Sequence, residues 1–305
     1  MSFTTKVKNE ILENNYSETE AMALVSSFVR NNALITTNIS LATENINTKK
    51  FLEEYIFNKY DVKVEISLKN KANFSKKQLY VLNIYDNINF ILQDLGYYDK
   101  NNNYLLTPPN YITDSNSDIR GYLRGAFLSK GSINDPKTAR YHMEIVVDYP
   151  DEAIFIQRLL NIFDLNAKIL NRNKGYMVYL KEADAISDFL KILEVNNCVM
   201  YYESIMVYHD KKNKTNRLNN CEQANTDKAI NAANNELKYI EILKENLAIN
   251  LLDDKVKDTL EYRIKYPEAS LKELSEIIYF ETGKKITKSG LNHHFRKIKD
   301  LASKF

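Results

Sequence analysis

The stretch IRGYLRGAFLSKGSI, residues 119–133, decides the fold. It reads as a helix up to Lys130 that turns directly into GSIND, the start of a hairpin. Gly125 and Ala126 are small residues in an otherwise bulky helix. The distance between packed helix axes follows the size of the side chains between them, so this helix suits a close partner. Residues 21–35, AMALVSSFVRNNALI, repeat the plan: Ala21, Leu24, Val25 and Phe28 mark a helix, and Ser26 and Ser27 stand where Gly125 and Ala126 do. That helix runs into ALITTNISLAT, whose β-branched alternation predicts a hairpin from Ala33. The two helices are expected to pack on each other about a pseudo-two-fold axis.

Each copy shows helix, two strands, helix, two strands, helix. The first has helices over 18–32 and 48–59, strands VKVEISLK from Val62 and QLYVLNIY from Gln78, and a helix ending near Gly96. The second, from Asp118, adds the strand RYHMEIVV, a helix over 152–163, the strands AKILNR and YMVYLK, and a helix over 182–195. A shift of 103 residues carries Asn58, Tyr60, Asp61, Val62 and Ile66 onto Asn161, Phe163, Asp164, Leu165 and Ile169. Between the copies, residues 97–117 hold NNN and TPPN and read as a polar, extended connection. Strand alternation puts Lys168, Leu170 and Arg172 on one face and Lys69 and Lys71 on another.

From Cys198 onward only helix signals remain. CVMYYESIMVYH reads as a short helix, KKNKTN with Lys211, Lys212 and Lys214 as a basic loop, and 220–247 as a long polar helix capped by Asn219 or Asn220. Arg217, Asn220 and Asn225 suit phosphate or backbone contacts, although a capped helix start is the plainer reading. Helices over 251–266, 270–280 and 288–305 follow, with Pro267 and Gly283 between them. Ser270 with Glu273 is a capping-box pattern, and Leu271, Leu274 and Ile278 form an apolar stripe. In the last helix Leu291, Phe295, Ile298 and Phe305 should pack inward, which leaves Ser289, Asn292, His293 and Arg296 on the opposite side at about 100° per residue. An apolar back with a hydrogen-bonding front is what a helix-turn-helix presents to base edges. Lys284, Lys285, Lys288, Lys297 and Lys299 suit phosphates, which set register without reading sequence.

Composition narrows the function classes. The chain of 305 residues is 44% hydrophobic and 27% charged, as expected of globular domains. Seven glycines leave little material for a glycine-rich nucleotide loop. Two thiols, Cys198 and Cys221, make no metal framework and suit a reducing compartment, and neither has the setting of a nucleophile. His293 and His294 are adjacent and diverge on a helix, while His142 and His209 lack companions at ligand spacing, so no metal or other cofactor is expected. No secretory leader, apolar span or small-molecule site is evident, and a cytoplasmic, non-enzymatic protein is the expectation. The net charge of +2 is uneven: residues 206–305 hold 19 Lys and Arg against 15 Asp and Glu, and 284–305 hold seven against one. Such an end favours phosphate backbones through counterion release. The first 205 residues carry a net −2, which argues against strong non-specific DNA affinity there.

The duplicated plan, with the helix that ends in Leu128, Ser129, Lys130, Gly131 and Ser132, resembles the monomeric LAGLIDADG homing endonucleases. With the C-terminal helices added, IRGYLRGAFLSKGSI, RLNNCEQAN and SLKEL with GLNHHFRK make essentially all 305 residues resemble the WhiA family of bacterial transcription regulators. The resemblance implies an α+β fold: a duplicated LAGLIDADG-like αββαββα domain followed by an all-α helix-turn-helix domain. On this reading 1–96 is the first repeat, 97–117 a linker, 118–209 the second repeat, 210–250 a connecting basic loop and long helix, and 251–305 the DNA-binding domain. Active homing endonucleases hold divalent metal with an acid at each central helix end; the matching positions here are Asn31 and Lys130. A hard cation needs carboxylate oxygen, and an ammonium would repel it, so metal-dependent cleavage is not expected. The implied function is sequence-specific binding to double-stranded promoter DNA, serving cell division, chromosome segregation or sporulation at the nucleoid, alongside a second regulator protein. The alternatives are a protein-interaction scaffold with secondary DNA binding and, less favoured, a metal-dependent homing endonuclease.

Overall fold

Caps and turn residues set the elements of the first repeat. The computed structural model describes residues 1–70, 78–138 and 140–305, and the chain divides into two units, Met1–His209 and Asp210–Phe305. The first unit opens with α1 (Phe3–Ile11), a helix absent from the sequence reading, capped by the Ser2 hydroxyl, which accepts from the Thr5 amide. Its Phe3, Val7 and Ile11 are buried at helical spacing, a stripe hidden among charges when read along the chain. Then come α2 (Glu18–Asn32), β1 (Leu34–Ile35), β2 (Ile39–Thr43), α3 (Ile46–Tyr60), β3 (Glu65–Asn70), β4 (Gln78–Ile84) and α4 (Ile88–Asp94).

The second repeat has α5 (Asn116–Lys130), β5 (Gly131–Ile133), β6 (Met143–Val147), α6 (Pro150–Ile162), β7 (Lys168–Arg172), β8 (Gly175–Leu180) and α7 (Ala183–Ile192). Each repeat makes one antiparallel four-stranded sheet, in the orders β1-β2-β4-β3 and β5-β6-β8-β7, so the duplication extends to topology. Asp61 and Asp164, paired by the shift of 103, both stop a helix in the left-handed region, at φ 52° and 58°. Aspartate tolerates that conformation better than most side chains.

Capping boxes at Ser17 with Glu20 and at Ser115 with Asp118 start α2 and α5. Between these helices the backbones nearly touch: a β-carbon on Gly125 would lie 2.0 Å from the Leu24 carbonyl oxygen, and one on Gly121 would lie 2.5 Å from that of Glu20. Two buried arginines secure the helix pair. Arg30 donates to Glu152 (3.2 Å) and to the carbonyls of Gly96 (3.1 Å), Leu105 (2.6 Å) and Leu106 (2.9 Å), and its guanidinium lies over the Tyr97 and Tyr104 rings. The connection over 97–117 is therefore held by a charged side chain from α2. It is less extended than its prolines suggest, with a Tyr98–Tyr104 bridge and a 3₁₀ turn at Asn110–Ile112. Arg124, fully buried, donates to Glu20 (3.4 Å), Glu194 (2.6 Å) and the Leu193 carbonyl (3.2 Å).

A further helix, α8 (Asn196–Glu245), runs for 50 residues. This corrects the expected short helix, basic loop and second helix: Lys211, Lys212 and Lys214 are helical, and Asn219 and Asn220 are mid-helix rather than caps. Its first amides are satisfied by Glu10, which accepts from Asn197 N (2.6 Å) and Cys198 N (3.0 Å). The negative carboxylate at a helix N-terminus is favourable, and so α1 anchors the start of α8. Cys198 is a buried free thiol and Cys221 an exposed one.

The close approach of α2 and α5 has a testable cost. Alanine is a better helix former than glycine by about 1 kcal/mol. Gly125→Ala is nevertheless expected to destabilise the chain by about 2 kcal/mol or more, because its methyl meets backbone. Gly290→Ala in the C-terminal unit, where a β-carbon meets nothing nearer than 3.4 Å, is expected to be neutral or stabilising. Urea unfolding of both variants checks this; equal effects would contradict it.

Candidate nucleic-acid interface

The second unit closes its core with short helices against the end of α8. A 3₁₀ turn (Ala248–Leu251) leads to α9 (Asp254–Lys265), α10 (Leu271–Thr282) and α11 (Lys288–Ala302). The capping box of Ser270 and Glu273 forms as expected. Gly283 ends α10 at φ 69°, and Thr287 starts α11 by accepting from the Gly290 amide at 3.2 Å. The Ser275 hydroxyl donates to the Ile286 carbonyl and fixes the turn between the last two helices.

Leu274, Ile278, Leu291, Phe295 and Ile298 are buried in one cluster, and Leu271 packs at its edge. Phe305 departs from expectation: it lies beyond the helix end and is exposed, and Ala302 takes the inward position. The helical stripe is set by three- and four-residue steps, and Ala302 continues it from Ile298 where Phe305 overshoots.

Arg263, which sequence reasoning passed over, positions α11. Its side chain is buried, pairs with Glu236 of α8 at 2.9 Å, donates to the Tyr266 and Ala269 carbonyls and lies over the Phe295 ring at 5.4 Å. Burial raises the Glu236 carboxyl above its ordinary pKa, opposed by the arginine. Removing one partner would strand the other charge without water, a loss of about 3 to 5 kcal/mol for such pairs. Its signal in the sequence is weak, since Arg263 and Glu236 are 27 positions apart in long polar stretches.

The front of α11 is solvent-facing: Ser289, Asn292, His293 and Arg296 are all exposed, as are Lys284, Lys285, Lys288, Lys297 and Lys299. His294 turns inward, its Nδ1 2.7 Å from the Thr259 hydroxyl. Lys284 pairs with Asp258 (3.1 Å) and Lys297 with Asp253 (3.0 Å). Exposed pairs of this kind contribute little, so a phosphate can replace the carboxylate. Among the described residues, Lys285, Lys288, Arg296 and Lys299 are in no ion pair.

At the ends of the central helices the structure places an amide and an ammonium where paired acids would be needed. Asn31 is buried and donates from Nδ2 to the Ser27 carbonyl (2.9 Å) and to Glu152 (3.2 Å). Glu152 is already held by Arg30 and by the Tyr122 hydroxyl at 2.6 Å. Lys130 pairs with Asp148 at 2.6 Å. These carboxylates are thus engaged by Arg30 and Lys130.

Each sheet has a polar face among its described residues. On the first, Asn38, Ser40, Asn83 and Ser67 form a neutral hydrogen-bonded ladder beside Lys69; Lys71 lies outside the described residues. On the second, Lys168, Leu170 and Arg172 are exposed on one strand as expected, but Arg172 is paired with Glu144 at 2.8 Å, which also meets His142 and Ser132. His142 and Arg172 hold the Glu144 carboxyl below its ordinary pKa against the effect of burial.

His294 couples acidity to stability. Burial chiefly, then the neighbouring His293 and Lys297, lowers its pKa from the ordinary 6.5. Below about pH 6.5 the unfolded chain takes up this proton before the folded one, so stability is lost as pH falls and regained above it. Melts of the full chain at pH 7.5 and 5.5 should show a drop in the C-terminal unit that His294→Gln reduces. An identical drop in the variant would rule His294 out.

No described helix is long and apolar enough to cross a membrane. Family models described as the WhiA N-terminal LAGLIDADG-like domain, the WhiA LAGLIDADG-like domain and the WhiA C-terminal HTH domain match residues 18–98, 119–212 and 215–302. A curated Staphylococcus epidermidis protein named "Probable cell division protein WhiA" is 37% identical over 309 residues, covering 100% of this chain and 97% of the relative. A Bacillus cytotoxicus protein of the same name is 35% identical over the same spans. The crystal structure titled full-length DUF199/WhiA from Thermatoga maritima matches with a TM-score of 0.60 at 20% identity, covering 100% of this chain and 99% of that one. The fold class is thus the α+β arrangement of a LAGLIDADG-like domain and a helical C-terminal domain, and the chain belongs to the WhiA family.

Proposed function

We propose that the chain is a sequence-specific regulator that binds double-stranded promoter DNA chiefly through residues 251–305 and has no nuclease activity. The observation that carries this reading is α11. Its apolar back is buried against α9 and α10, its front of Ser289, Asn292, His293 and Arg296 is exposed, and lysines flank it. Arg296 suits the O6/N7 edge of guanine and Asn292 the edge of adenine, each worth about 1 to 3 kcal/mol of discrimination. Lys284, Lys285, Lys288, Lys297 and Lys299 would take phosphates and position the helix. The relatives' names support a role in cell division, and a nucleoid location in the cytoplasm follows from the proposed DNA binding. The lack of cleavage rests on Asn31 and Lys130, whose chemistry does not hold a hard cation.

A second reading assigns residues 1–209 to protein binding, as a scaffold for a second regulator. The neutral ladder on the first sheet and the Arg172–Glu144 pair on the second favour it over a strong groove-binding saddle.

Band-shift titration of the full chain at several salt concentrations, with promoter and random duplexes, tests the proposal. Promoter DNA should bind more tightly. Arg296→Ala should weaken promoter binding by about 5- to 150-fold while leaving random DNA nearly unchanged, and Lys288→Ala should weaken both alike. Supercoiled plasmid should survive Mg²⁺ or Mn²⁺. Equal affinity for both duplexes, or metal-dependent nicking, would overturn the proposal.

A further inference from the structure

The middle of α8 has no apolar face and no cover. Residues 210–228 are all exposed, nineteen in succession, and even Leu218 is more than half open to solvent. Five asparagines and two threonines fall within 213–226, half of that stretch. These residues are poor helix formers because their side chains compete for the backbone. Most helices draw their stability from packing rather than from propensity. This segment has neither strong propensity nor packing, so its charge pattern is the remaining clue to what lies against it.

Residues 211–221 contain Lys211, Lys212, Lys214 and Arg217 and no acid. Among the described residues, none of these cations is in an ion pair, and neither is Lys228. At about 100° per residue, Lys214, Arg217, Cys221 and Lys228 project within about 60° of one another, and Glu222 falls well to the side. Cys221 and Ala224 are small, so the axis can approach a surface closely between the cations. Asp210 lies at the near end of this face.

We infer that this face of α8, centred on Lys214, Arg217 and Lys228, is a second phosphate-binding element that runs along the backbone of duplex DNA. It rests on the proposed DNA binding and adds a contact outside the short helices α9, α10 and α11. The three cations span about 21 Å of helix at about 1.5 Å per residue, enough to meet several phosphates. Donors of this kind carry affinity and salt sensitivity without reading sequence. The helical form removes the plainer account of Asn219 and Asn220 as caps, and leaves Asn220 and Asn225 as flanking amide donors.

The test uses the full chain with Lys214, Arg217 and Lys228 all changed to alanine. Alanine favours helix over each of them, so lost binding cannot come from a broken helix. Measured against both promoter and random duplex, the variant should bind both more weakly by the same factor, about ten-fold or more at moderate salt. Its log-affinity against log-salt slope should be shallower by about 2 to 3. Lys214→Arg alone should keep wild-type affinity and slope. An unchanged slope and affinity in the triple variant would overturn this inference and leave the α11 reading standing. A wild-type chain that binds neither duplex would overturn both.

Discussion

Contact between the backbones of α2 and α5 is the constraint on which the first unit depends. With only hydrogen on Gly121 and Gly125, the helix from each repeat comes within reach of the other's carbonyls, and no bulkier pair would fit. That approach brings Arg30 to Glu152 and Arg124 to Glu20, links between one copy and the other. Buried pairs are weak evidence for net stability, but once formed they are costly to break, so they hold the two repeats in one arrangement.

The same approach decides what the helix ends can do. Two acids there would concentrate negative charge in a site fit for divalent metal. Asn31 and Lys130 instead donate hydrogen bonds to nearby carboxylates, and the helix ends become closed hydrogen-bonded structures. The chain thus retains the scaffold of a duplicated domain while its positive charge gathers near the C-terminus. The proposed DNA recognition follows that charge.

Much of this was legible because it is local. Capping boxes at Ser270, β-branched alternation and the copied NKYDV and NIFDL motifs each act within a few residues, and the structure has the elements they predict. Pairings of side chains far apart in sequence were not legible. Glu152 and Arg263 look like ordinary surface charges until the fold buries them, as does half-buried Glu236 until Arg263 pairs with it. The continuity of α8 was hidden for another reason: with no apolar stripe over 210–228, periodicity has nothing to register, and lysines with asparagines read as a loop. Phe305 shows the opposite error, a large apolar residue assigned inward although the helix had already ended.

Where DNA touches the chain in cells separates α11 from the sheets as the reading surface. Ultraviolet crosslinking followed by mass spectrometry of nucleotide-bearing peptides maps those contacts. Adducts are expected within 284–299, around His293 and Arg296, with the sheets of 1–209 largely free of them. Adducts confined to the sheets, with none in α11, would contradict it.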